Sequence, residues 1–158
     1  MVRVLFVCLG NICRSPTAEG VFRKLLTDEG VANKVETDSA GTHAYHVGEP
    51  PDHRTIQAAA YRNIDLSQIR GRQATLEDFK NFDYILAMDE QNKHHLLELA
   101  PQTLSQKVRL FMEFSSNYSE IEVPDPYWGG ASGFDRVLDM IEDAALGLLD
   151  EIRTRYPL

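Results

Sequence analysis

The chain has 158 residues, 43% of them apolar, which suits one domain with a sizeable core. A net charge of −8 excludes a general nucleic-acid binder, so any phosphate the chain holds must sit in a local site. No apolar run approaches the ~20 residues needed to span a membrane. The N-terminus lacks a signal-peptide arrangement, and two cysteines make neither a disulfide framework nor a Cys-based zinc cluster, so a cytoplasmic location is expected.

Arg3 to Val7 reads as a buried strand, and Pro16 to about Glu29 as a helix with an apolar stripe of Ala18, Val21, Phe22, Leu25 and Leu26. Between them lies Cys8-Leu9-Gly10-Asn11-Ile12-Cys13-Arg14-Ser15. A strand thus delivers a loop, and the loop delivers a helix N-terminus, the place where an α/β fold binds an anion. Backbone N–H groups of such a loop converge into a nest for a dianion. Gly10 and Asn11 are types that tolerate positive φ, Ser15 is a candidate helix cap, and Arg14 offers a fork for two phosphate oxygens. The field that holds an anion also stabilises a thiolate, which makes Cys8 a candidate nucleophile toward phosphorus. A cysteine near a glycine is ordinarily a buried, unreactive residue. Here strand, loop, arginine and helix occur together, and the reactive reading prevails.

Further along, Val35 to Ser39 is expected to be a short strand, followed by a long loop from Ala40 to Pro51 with little apolar periodicity. Asp52 is the expected N-cap of a helix reaching Arg62. Residues 63 to 74 read as irregular and basic, and Arg70 and Arg72 form an island that reads first as a solvated loop, with steering of a phosphorylated partner as the alternative. Leu76 to Phe79 reads as a turn of helix, Tyr84 to Met88 as a buried strand, and Asp89 as the cap of a helix from Glu90 to Leu99. Val108 to Met112 is the expected last strand, and Phe134 to Arg155 the last helix. Strands alternating with helices imply a single doubly wound α/β domain over 1–158, with a four-stranded parallel sheet and helices on both faces.

A cysteine attack on a phosphate monoester must expel an alkoxide or phenoxide, which needs a general acid. Asp125 is the candidate, with its backbone fixed by Pro124 and Pro126. Tyr127 and Trp128 follow as aromatic walls that exclude water. The five histidines show no metal-ligand spacing and are expected at the surface.

These motifs resemble the low-molecular-weight protein tyrosine phosphatases over nearly the whole chain. Residues Cys8 to Ser15 match that family's phosphate loop, and Asp125-Pro126-Tyr127 its acid loop. Asp38-Ser39-Ala40-Gly41 and the run from Phe82 to Asp89 also look like family segments. The resemblance implies a phosphocysteine intermediate and no metal or other cofactor. It implies Cys8 as nucleophile, Arg14 as clamp on the transition state, and Asp125 as acid and then base. Leu9, Gly10, Asn11, Ile12, Cys13 and Ser15 would form the phosphate-binding loop, with Asn11, Ser15 and Ser39 supporting it. Tyr45, Tyr127 and Trp128 would wall the pocket, and the partner would be a tyrosine-phosphorylated protein. Many members carry a histidine in the basic segment, linked to the phosphate loop; Ser67-Gln68-Ile69-Arg70 has none, so the supporting network here must be built otherwise.

Three other activities fit parts of the pattern. A thiol-dependent arsenate reductase on this scaffold needs a distal cysteine pair, and the chain has no cysteine after Cys13. Arginine phosphatases that resemble this chain carry Thr where Ile12 stands, and a bulky apolar residue there favours an aromatic ring. A phosphocysteine carrier needs the cradle but neither Arg14 nor an acid.

Overall fold

The computed structural model describes residues 1–126 and 131–158. Four strands, β1 (Val2–Cys8), β2 (Val35–Gly41), β3 (Tyr84–Ala87) and β4 (Val108–Leu110), form one all-parallel sheet in the order β2-β1-β3-β4. Among the described residues, five α-helices accompany it: α1 (Arg14–Asp28), α2 (His53–Ala60), α3 (Leu76–Asn81), α4 (Glu90–Leu99) and α5 (Ala131–Arg155).

The period-two alternation of β1 divides the core. Val2, Val4, Phe6 and Cys8 face one layer with Phe22 of α1 and Met140, Ile141 and Leu148 of α5. Leu5 and Val7 face the other layer with Phe79 of α3 and Leu96 of α4. The five of these β1 residues after Val2 are at most 3% exposed, which explains why the strand reads as a continuous apolar run. Helices therefore cover both faces, as expected of a doubly wound fold. Among the described residues, no helix is long and apolar enough to cross a membrane.

The two expected caps form. Asp52 accepts from Arg54 N at 2.9 Å, and Asp89 Oδ1 accepts from Asn92 N at 2.7 Å. The last strand is shorter than its apolar pattern suggests. Phe111, Met112 and Phe114 stay buried, but in a 3₁₀ turn. The chain turns because Asp143 on α5 gathers the Ser115 hydroxyl at 2.7 Å and the Ser116 and Asn117 N–H groups at 2.9 and 3.1 Å.

In this strand order the connections leave β1 and β3 in opposite directions, so the crevice beyond their carboxyl ends is the natural ligand position. Cys8 ends β1, and Asp89 follows β3.

Candidate active site

Residues 9 to 13 link β1 to α1, and most carbonyls from Cys8 to Cys13 are tied to the surrounding chain. Cys8 O accepts from Thr42 N at 2.9 Å, Leu9 O from His43 N at 3.1 Å, Ile12 O from Asp52 N at 2.8 Å, and Cys13 O from Thr17 N at 3.2 Å. A loop whose carbonyls face away presents its N–H groups inward, the arrangement of an anion nest. Asn11 carries the left-handed turn of this loop, with φ 59°. Gly10 does not, contrary to expectation. Its lack of a side chain serves proximity instead: a Cβ there would stand 3.0 Å from the His46 ring. Gly41, at the end of β2, is likewise needed where the chains meet, because a Cβ would lie 2.8 Å from Leu9 O.

Ser15 does not cap α1, whose N-cap is Cys13 without a side-chain bond. The Ser15 hydroxyl instead lies 3.0 Å from Cys8 Sγ. Asn11 Nδ2 donates to Ser15 Oγ at 2.8 Å and to Ser39 Oγ at 3.0 Å, while Asn11 Oδ1 accepts from Arg72 N at 3.0 Å. This backbone contact from residue 72 completes the loop's support without a histidine. Arg72 is no steering charge: its side chain is paired with Asp38 and Asp78, at 3.0 Å each.

Arg14 is 4% exposed and begins α1 beneath the cradle. Nη1 donates to Asp89 Oδ2 at 2.6 Å and to Val123 O at 3.1 Å, and Nη2 stands 3.9 Å from Asp125 Oδ2. Burial alone would lower its pKa, but the charges of Cys8, Asp89 and Asp125 outweigh burial and hold it above the usual guanidinium value. Asp89 thus does two jobs, one oxygen capping α4 and the other aiming Arg14. Only the first was legible from its position before a helix.

Val123 N donates to Met88 O at 2.8 Å, so the segment before Asp125 is stitched to the end of β3. Val123 is fully buried, and Asp125 emerges two residues later into a cleft of about 280 Å³. Cys8, Leu9, Gly10, Ile12, Cys13, Arg14, Tyr45, His46 and Asp125 line this cleft. Tyr45 is 66% exposed and stacks on His43 with ring centroids 5.2 Å apart. His46 was expected at the surface, yet it lies at the cleft with Nδ1 bonded to Glu49. Its position in the long loop beside Tyr45 was the available signal. Tyr127 and Trp128 lie outside the described residues. Both cysteines are free, and burial pushes the Cys13 thiol up to about 12. Among the described residues, no group of three or more His, Cys, Asp or Glu is arranged to hold a metal ion.

Residues 3–157 match the family described as low molecular weight phosphotyrosine protein phosphatase. The chain belongs to this family. It is 43% identical over 152 residues to the low molecular weight phosphotyrosine protein phosphatase of Schizosaccharomyces pombe, covering 96% of this chain and 97% of that one. The human enzyme of the same name is 44% identical over 137 residues, 85% of each chain. A crystal structure of a protein tyrosine phosphatase from Entamoeba histolytica, with Hepes in the active site, superposes with a TM-score of 0.94 at 42% identity and covers 98% of both chains. The protein is therefore a protein-tyrosine phosphatase, and its substrates are phosphorylated proteins. The sequence-based assignment of family, fold class and phosphotyrosine hydrolysis holds.

Proposed function

We propose that residues 1–158 form one catalytic domain that hydrolyses phosphotyrosine through a phosphocysteine intermediate, with Asp125 as general acid and then general base. The observation that carries this reading is the convergence of Cys8, Arg14 and Asp125 on one cleft, with Arg14 bridging to the acid at 3.9 Å.

In the first step the Cys8 thiolate attacks phosphorus and the bond to the tyrosine oxygen breaks. Asp125 gives its proton to that oxygen, so phenol leaves rather than phenoxide. Arg14 and the loop N–H groups hold the phosphoryl oxygens as charge spreads over them. In the second step Asp125 takes a proton from water, the oxygen of that water attacks phosphorus, and the S–P bond breaks. The products are inorganic phosphate and the thiolate.

Ile12 and Tyr45 give the cleft apolar surface suited to an aryl ring, which supports tyrosine over serine. The sulfonate of Hepes, found in the active site of the Entamoeba histolytica relative, is a tetrahedral anion of the kind such a cradle takes. Cys13 supplies a second thiol in the same cleft. Peroxide oxidation of Cys8 to the sulfenic acid, followed by condensation with the Cys13 thiol and loss of water, would give a reversible disulfide. The free thiols of Cys8 and Cys13 support a cytoplasmic setting.

The test is a panel of phosphotyrosine, phosphoserine and phosphoarginine peptides in chelator-treated buffer, with wild-type and Cys8→Ser protein. Turnover of phosphotyrosine alone, abolished in Cys8→Ser while phosphate binding persists, is the expected result. Appreciable hydrolysis by Cys8→Ser would overturn the covalent mechanism. Wild-type protein that takes up phosphate without releasing it would indicate a carrier.

A further inference from the structure

Glu19 lies on α1 and is 5% exposed. Its two oxygens have different partners. Oε1 accepts from the Ser39 hydroxyl at 2.6 Å, and Oε2 accepts from the Arg23 guanidinium one helical turn on. Ser39 in turn meets Asn11, Asn11 meets Ser15, and Ser15 meets Cys8.

The directions from Arg72 to Glu19 can be deduced, and the Ser15–Cys8 contact runs from hydroxyl to sulfur when Cys8 is the thiolate. The Arg72 backbone N–H can only donate, so Asn11 must face it with Oδ1. Asn11 Nδ2 therefore points both its hydrogens into the relay, one at Ser39 and one at Ser15. Each serine oxygen is then occupied as an acceptor and must send its own proton onward. Ser39 sends its proton to Glu19. Ser15 has two acceptors, Cys8 Sγ at 3.0 Å and Ala40 O at 3.3 Å, and the thiolate is the nearer. With Arg23 on Oε2 and Ser39 on Oε1, Glu19 acts through both oxygens as an acceptor.

We propose that Glu19 is a positioning residue for the nucleophile, acting through Ser39, Asn11 and Ser15 to keep the Ser15 hydroxyl aimed at the Cys8 thiolate. This deepens the reading of Cys8 as the nucleophile and rests on it. Without an acceptor at Glu19, the Ser39 hydroxyl, 2% exposed, would be left buried with a proton and no partner. Asn11 would then lose one of its three side-chain anchors. Its left-handed backbone, at φ 59°, depends on those anchors, and the loop carrying Ser15 would loosen.

The charged groups around Glu19 are Arg23 on its own helix and Asp38 on β2, the latter paired with Arg72. Burial pushes the Glu19 pKa up, while Ser39 and Arg23 pull it down and Asp38 adds to the rise.

The experiment is the pH dependence of Cys8 alkylation by iodoacetamide, measured beside the acid limb of kcat/KM, in Glu19→Ala and Glu19→Gln. Both variants remove a negative charge, and that alone would favour the thiolate and lower the midpoint. Only Gln keeps an acceptor for Ser39. The expected result is a midpoint raised by about one pH unit in Glu19→Ala and not raised in Glu19→Gln. A midpoint in Glu19→Ala that falls or stays put would overturn the proposal, as would an equal rise in both variants. If Glu19→Ala does not fold, Ser39→Ala breaks the same relay one link closer. There a rise supports the proposal and an unchanged midpoint overturns it. Alkylation needs no phosphoryl transfer, so a wild-type protein inactive on phosphotyrosine would refute the catalytic reading separately.

Discussion

Arg14 is held from behind by Asp89: the guanidinium Nη1 and the carboxylate Oδ2 are 2.6 Å apart, and the Arg14 side chain is 5% exposed. The pair joins the start of α1 to the end of β3, so the two strands that border the proposed anion site are coupled through Arg14. Replacing Asp89 by Ala would leave a buried cation without its closest partner, a class of change that costs about 3–5 kcal/mol. Asp89→Ala should therefore lower Tm and also reduce kcat on aryl phosphates. Asp89→Asn keeps a single acceptor, enough for Arg14 or for Asn92 N but not both, and should lose less of both than Ala. Thermal melts beside steady-state kinetics check this. Equal activity in Asp89→Ala and wild type would show that Arg14 needs no such support.

Asp125 is tested by leaving-group dependence. A tyrosine leaves with a conjugate-acid pKa of about 10, and general-acid help is worth roughly 10²- to 10⁴-fold. Asp125→Ala should slow phosphotyrosine hydrolysis by that order and a nitrophenyl ester far less. If breakdown of phosphocysteine limits the rate, both substrates slow together in steady state. Single-turnover measurement therefore decides. Equal losses there would remove Asp125 from the acid role.

Cys13 gives the pH prediction. Burial raises its thiol from 9.0 to about 12 in the folded protein. Between those values the unfolded chain releases this proton while the folded protein keeps it, so ionisation favours unfolding. The stability due to the protonated Cys13 is complete below pH 9 and is lost as pH rises from 9 toward 12. Denaturant titrations should show that alkaline fall in wild type and a shallower one in Cys13→Ser. Iodoacetamide at neutral pH should label the folded protein at Cys8 and spare Cys13. Labelling of both at similar rates would contradict the buried thiol.

Much of this was legible because it is local. β1 announced itself by an unbroken apolar run, α2 and α4 by an aspartate at the cap, and the anion site by a cysteine, an asparagine and an arginine in one short loop. What stayed hidden was made by distant partners. Asp89 read as a cap because its second oxygen meets a residue 75 positions away. Glu19 drew no reading at all, because its partner Ser39 lies 20 positions away on β2. Ser15 read as a cap because the competing partner, Cys8, lies on the preceding strand. Phe111 and Met112 read as strand because burial alone does not reveal the turn that Asp143 helps to fix.

The outward ties of the phosphate loop also bear on how the protein is made. Cys8 and Arg14 leave the ribosome early, yet the groups that draw the loop's carbonyls aside come from Thr42, His43 and Asp52. Arg14 acquires Asp89 later still, and the Val123 carbonyl near the end of synthesis. A nascent chain therefore carries Cys8 without the partners of Arg14 for most of translation. The proposed site is complete only when the last third of the polypeptide closes over the first.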